Sequence, residues 1–338
     1  SPGALMGSIA SQKNIELRAK YESLLSKGKE TSQADLAKNI MDLRRLVLIE
    51  GLPTDTLEGD TLRGRVWKVL LRVRDVSADD YIILVNKGAT EHPGLYDKIR
   101  NDTFRTFKTN ISYQKRVPEN TLIRQLNAFM HLCDEDKRNN TTYVQGMNVV
   151  CAVFLYVMNE LDAFYCFSKF ANHYAPLYFN PQIEGAHDGV ELADEVMKVA
   201  DPELYLHLIS KGMKTETWAL AHCLSFSACT PPLDEIVKLW DFLFAFGPHV
   251  NILCLVAQIM IIREEILAAE RPNLTRNFPP LDSHTIITVA VQIVRNIPDD
   301  LWKKIVQHPW KYKKSAKKFN TLPRNFKAIK PSKFGGLF

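Results

Sequence analysis

Glycine is scarce in this chain, at 15 of 338 residues, against a usual share of about 7%. Tight hairpins and phosphate-cradling loops both consume glycine, so an all-β sandwich and a glycine-loop nucleotide fold are disfavoured. There is no GxxxxGK[ST], no GxGxxG after a strand, no GxSxG and no HExxH. The six cysteines (Cys133, Cys151, Cys166, Cys223, Cys229 and Cys254) include no C-x-x-C pair. Most lie in apolar segments, where a free thiol packs as a small hydrophobe. Long apolar runs are missing as well. The longest, Val149 to Met158, falls far short of the ~20 residues that a membrane span needs. Acidic residues disappear from Leu301 onward, where 11 Lys/Arg stand alone.

What is present is the composition of a globular protein: 46% apolar, 10% aromatic and 24% charged. A chain of this length can bury one large core or two smaller ones. The net charge is +5, but without the C-terminal stretch the first 300 residues hold 32 basic against 38 acidic side chains, a balance of −6. The basic tail is a solvated extension or a contact for an acidic surface. Nucleic acid is not expected as a partner, because the body lacks the aromatic-basic interleaving that grips bases. Ser1–Ser8 reads as a cloning remnant, with neither the basic start nor the apolar core of a secretory leader. A reducing, cytoplasmic setting is therefore expected, and Asn-x-Ser/Thr triplets such as Asn101-Asp102-Thr103 carry no glycosylation meaning.

The periodicity is helical nearly throughout. Leu122, Leu126, Phe129, Met130 and Cys133 stack on one helical face. Asn148–Met158 is apolar all round, which predicts a helix buried on every side. Thr230-Pro231-Pro232-Leu233-Asp234-Glu235 predicts a helix start, and Gly247-Pro248 its end. Thr285–Val294 is rich in β-branched residues, yet Ile286, Ile287, Ala290, Ile293 and Val294 also fit one helical stripe. A lone strand would have no partner, so we read it as a helix. Gln12–Gly28 is expected as a detached amphipathic helix and Gln33–Ile49 as a second one. Breaks are expected at Asn180–Asp188, Lys211–Thr215 and Arg271–Asp282. No repeat of 20–50 residues occurs. The fold class is all-α, in two helical lobes divided near residue 215: an extension over 1–45, lobes over 46–215 and 216–310, and a basic tail over 311–338. His222-Cys223 is the one adjacent His/Cys pair, and its apolar flanks favour core packing over metal binding. No metal or cofactor site is expected.

Four short segments say more. Ile99-Arg100-Asn101-Asp102-Thr103-Phe104-Arg105-Thr106 fits I-x-x-D-x-x-R-T, and Tyr143-Val144-Gln145-Gly146-Met147-Asn148 fits Y-x-Q-G-M-N. Arg65-Val66-Trp67 precedes the first, and Leu239-Trp240-Asp241 follows the second. In this order and spacing the chain resembles the TBC family, helical GTPase-activating modules aimed mostly at Rab-type small GTPases. The resemblance covers roughly Leu46–Trp310. The D-T-F-R-T-F form of the first motif, the compact lead-in and the short basic tail resemble most the mitotic-exit and septation-control subgroup of fungi. Thr103-Phe104 departs from the commoner form, an aliphatic residue followed by a small one or proline, which bears on loop shape and substrate choice.

The resemblance implies an activator that works in its partner's active site and has no free-standing one. Arg105 would enter that site as an arginine finger and Gln145 as a glutamine that orients water. Asp102 would pre-set Arg105, while Tyr143, Gly146 and Asn148 would shape the Gln145 loop; Arg65 would brace the Asp102 turn. Trp67 and Trp240 are assigned to packing. The partner would be a small GTPase in its GTP form, whose nucleotide and Mg²⁺ belong to it, with a regulatory or scaffold subunit as a second candidate. Recruitment to a spindle pole or membrane surface would go through such partners. The competing reading is a scaffold of the same fold that binds a GTPase without accelerating hydrolysis.

Overall fold

A computed structural model describes residues 2–26, 33–53, 61–136, 140–275 and 278–310. The basic tail over 311–338 lies outside the described residues. Among those described there are seventeen α-helices and no strand. In chain order they begin with α1 Pro2–Ser26, α2 Gln33–Glu50, α3 Leu62–Leu70, α4 Ala78–Asn86, α5 Leu95–Arg105 and α6 Ile111–Arg116. Next come α7 Glu119–Glu135, α8 Met147–Val157, α9 Glu160–Lys169, α10 Glu184–Ala200, α11 Pro202–Ser210 and α12 Thr215–Ser225. The last five are α13 Leu233–Phe246, α14 Asn251–Ile261, α15 Arg263–Ala268, α16 Ser283–Asn296 and α17 Asp299–Gln307. No helix among them is long and apolar enough to cross a membrane.

Two compact units interleave along the chain, so no single cut near residue 215 separates them. The first takes the residues up to Leu132 with Cys151–Lys169 and Trp240–Gly247; the second takes Cys133–Val150, Phe170–Leu239 and Pro248 onward.

In the first unit, Trp67, Phe154, Trp240 and Phe244 form one buried aromatic cluster, with Trp67 edge-on to Phe244 at 4.9 Å between ring centres. Asp241 lies within it. It accepts from Trp67 Nε1 at 2.7 Å and from Arg63 Nε at 3.1 Å, which pairs a carboxylate that burial would otherwise make costly. The third and fourth sequence segments therefore meet here, as packing with one polar joint.

The helix expected to be detached is fastened down. Tyr21 of α1 is fully buried and donates its hydroxyl to Gly51 O at 2.6 Å, and Asn39 Nδ2 of α2 donates to Leu24 O at 2.9 Å. The amphipathic reading of α1 holds, but its narrow apolar stripe is spent on α2 and α3 rather than left detached.

The second unit is built on α10, which packs against α12 and α14, with α16 against α14. The start of α10 falls inside the expected break at Asn180–Asp188. Asn180 Oδ1 accepts from Glu184 N–H, and Gly185, inside that expected break, serves packing instead, as does Gly189 beyond it. A Cβ at Gly185 would lie 2.5 Å from Tyr178 Cδ2, and one at Gly189 would lie 2.9 Å from Ile252 Cδ1. The β-branched segment is helical, as α16, with Asp282 Oδ1 accepting from Thr285 N–H at its start. His222 is a core residue: its Nδ1 lies 2.9 Å from Thr230 Oγ1 and its ring stacks on Phe278.

Candidate functional site

Arg105 belongs to the first unit and Gln145 to the second.

α5 begins at Gly94, whose φ of +73° suits glycine. Buried Ile99 and Thr103 hold the helix against the unit, so Asp102 and Arg105 lie toward the outside at its last turn. Arg105 Nη2 donates to Asp102 Oδ1 at 2.6 Å. The arginine side chain is 73% exposed and the aspartate 15%. The carboxylate thus holds one edge of the fork and leaves the remaining donors to solvent. Asp102 O in turn accepts from Thr106 Oγ1 at 2.8 Å, which fixes the residue after the helix. A cation at a helix C-terminus also meets the negative end of the helix dipole. The guanidinium is thus hydrogen-bonded within its own helical turn.

Arg65 is engaged elsewhere. From α3 it forms a two-pronged pair with Glu22 of α1, at 2.7 and 2.5 Å. The fork holds the Glu22 carboxyl below the usual carboxylate range. The bond fastens α1 to α3.

In the second unit, Tyr143, Val144, Met147 and Asn148 are buried and Gln145 is exposed. Met147 N–H donates to Val144 O at 3.2 Å, closing a turn with Gln145 and Gly146 at its centre. Gly146 has φ +89°, the left-handed region that turns of this kind reserve for glycine. Val150 N–H then donates to Gly146 O, so α8 starts immediately behind the turn.

One outside hydrogen bond grips this loop, and a neighbouring backbone closes it in. Thr142 N–H donates to Phe179 O at 2.9 Å, and the Leu224 carbonyl oxygen would lie 3.1 Å from a Cβ at Gly146. Leu224 precedes Phe226 and Ser227, both with positive φ, at 50° and 62°. Left-handed backbone at a bulky residue costs of order 1–3 kcal/mol and persists only where surroundings over-determine it. Here Phe226 packs on Phe170, Tyr178 and Phe179, while Ser227 Oγ donates to Asn251 Oδ1 at 2.8 Å. This hook behind Gly146 is a support that sequence reasoning did not anticipate. A carbonyl at a helix end has no signature in the residue string.

An exposed arginine held by one carboxylate and an exposed amide on a rigid turn are parts suited to acting on a second molecule. The Rab-GTPase-TBC domain family matches residues 60–267. The chain belongs to this TBC family. A BUB2-type mitotic check point relative from Dictyostelium discoideum is 39% identical over 88% of this chain and 81% of its own. The cell division control protein 16 of Schizosaccharomyces pombe is 37% identical over 82% of this chain and 91% of its own. Among solved structures, the Ypt/Rab-GAP domain of Gyp1p superposes with a TM-score of 0.61 at 16% identity, covering 83% of this chain and 97% of that one, a likeness of fold. TBC membership supports a GTPase-activating function with a small GTPase as the partner class. The relatives' names, a mitotic check point protein and a cell division control protein, agree with the cell-cycle character of the subgroup expected from the motifs.

Proposed function

We propose that this TBC protein accelerates GTP hydrolysis by inserting Arg105 and Gln145 into the active site of a Rab-like or other Ras-superfamily GTPase. A GTPase alone is slow because charge growing on the transferring phosphoryl group is incompletely compensated and the attacking water is loosely held. An arginine supplied in trans is worth about 10³–10⁵ in rate. Its planar, permanently charged fork can bond two phosphate oxygens together, which an ammonium cannot copy. Gln145, able to donate and accept, orients the water.

The observation that carries this reading is Arg105: a largely exposed guanidinium whose direction is already set by Asp102. Pre-setting lowers the ordering cost at the moment of reaction. The basic tail then serves affinity or placement, through salt-sensitive attraction to acidic surfaces.

The test is GTP turnover by a panel of purified small GTPases with and without this protein. Arg105→Ala and Arg105→Lys should each lose about 10²-fold or more of the stimulation. A GTPase whose own catalytic glutamine is changed to leucine should still be stimulated, and Gln145→Ala should abolish that residual response. A lysine variant with near-normal stimulation would sink the arginine role; an inert leucine variant beside a responsive wild type would sink the glutamine role.

A further inference from the structure

The turn between α5 and α6 carries more than the arginine. Phe104, immediately before Arg105, is 55% exposed, and Ile111, the first residue of α6, is 72% exposed. Lone exposed hydrophobics are ordinary. These two differ because the elbow that presents them is rigid. Asn110 Oδ1 caps α6 by accepting from Tyr113 N–H at 2.8 Å, and Asn110 N–H donates to Phe107 O at 2.9 Å. Phe107 packs edge-on against buried Tyr113, and Arg116 Nε donates to Tyr156 O at 2.5 Å. Lys108 Nζ sits 3.7 Å above the Phe104 ring, fixing a cation on an aromatic face that has little other cover.

The charge of this elbow opposes that of the body. Residues 98–116 hold six Lys/Arg and one acid, Asp102, within a first 300 residues whose balance is −6. A surface with apolar side chains, flanked in sequence by cations and pre-organised by its own hydrogen bonds, has the anatomy of an interface anchor.

We propose that the α5–α6 elbow is the surface by which this protein selects its GTPase. Phe104 and Ile111 make the apolar contacts, and Lys108 and Lys115 meet acidic groups at their edge. The proposal rests on Arg105 being the finger: a partner that receives Arg105 must cover the residues on either side of it. It commits the matching face of the GTP-loaded partner to an apolar patch bordered by carboxylates.

The experiment uses the full chain and the responsive GTPase loaded with a non-hydrolysable GTP analogue. Affinity is read by titration, and turnover is read separately across a range of GTPase concentrations. Phe104→Ala with Ile111→Ser should weaken binding and raise KM at least tenfold, with kcat at saturation within about twofold. Lys108→Glu with Lys115→Glu should do the same and flatten the salt dependence of kcat/KM. Ile82→Ser with Ile83→Ser, on the equally exposed face of α4, should change neither. Equal losses from the α4 and elbow pairs would overturn the proposal, and so would an elbow loss confined to kcat. Loss of binding to phosphatidylserine vesicles with GTPase affinity intact would assign the elbow to a lipid surface and overturn it too. Failure of Arg105→Ala to lower kcat would instead strike the finger reading, because the binding titration does not depend on catalysis.

Discussion

Gly146→Ala separates conformational strain from contact at the loop that presents Gln145. At φ +89° an alanine pays the left-handed penalty of about 1–2 kcal/mol. Its Cβ would also stand 3.1 Å from Leu224 O and 3.3 Å from Leu224 C. These are backbone atoms at the end of a packed helix, so they yield by shifting the hook or the loop, at a further cost of about 1–3 kcal/mol. Gly88 is the internal control, with φ +72° and nothing within 4 Å of an added Cβ. Gly88→Ala should cost the conformational part alone. The difference between the two variants should appear as a lower midpoint in thermal unfolding, about 1–2 °C for each kcal/mol in a chain of this length. Stimulation of GTP hydrolysis should fall on the order of 10²-fold for Gly146→Ala, since a displacement near 1 Å of a positioned group is enough for that, and should be unchanged for Gly88→Ala. Equal stability losses with turnover intact in both would show that Leu224 does not hold the loop, and the support argument would fail.

Asp241→Ala should destabilise the first unit by about 3–5 kcal/mol, because it removes the buried carboxylate that Arg63, 12% exposed, and Trp67 Nε1 share; Asp241→Asn, which keeps the Trp67 bond, should cost less, and denaturant unfolding of both gives the order. Burial pushes His222 and His308 down to about 4 from 6.5, so between those values the unfolded chain binds protons that the folded one refuses. Stability should therefore be full above about pH 6.5 and decline toward pH 4; equal unfolding free energies at pH 7.5 and 5 would refute the assignment.

The sequence is most informative where the cause is local. The stripe Ile286, Ala290, Ile293 and Val294 outweighs the strand preference of its β-branched residues because a helix satisfies its backbone within itself. The Asp102–Arg105 pair is equally local, three residues apart on one turn. Where the cause is distant, the string misleads. Gly185, inside the break expected at Asn180–Asp188, looks like a breaker until Tyr178 is placed against it. Arg65 has no near neighbour to announce Glu22, which stands 43 residues earlier. Gly146 reads as a turn residue from its motif, but why no side chain fits there is decided by a carbonyl from α12.

The joint between Trp67 and Asp241 bridges 174 residues, and this sets a clock on biosynthesis. At about 5–20 residues per second, the ribosome makes the Asp241 codon available roughly 9–35 s after Trp67 has been synthesised. Throughout that interval the nascent α3 presents an indole and its apolar neighbours with no Trp240 or Phe244 to cover them, while the residues of the second unit up to Leu239 emerge in between. The first unit cannot close vectorially from its N-terminus. Until the closing segment arrives that apolar surface stays uncovered, the condition in which nascent chains aggregate or engage chaperones.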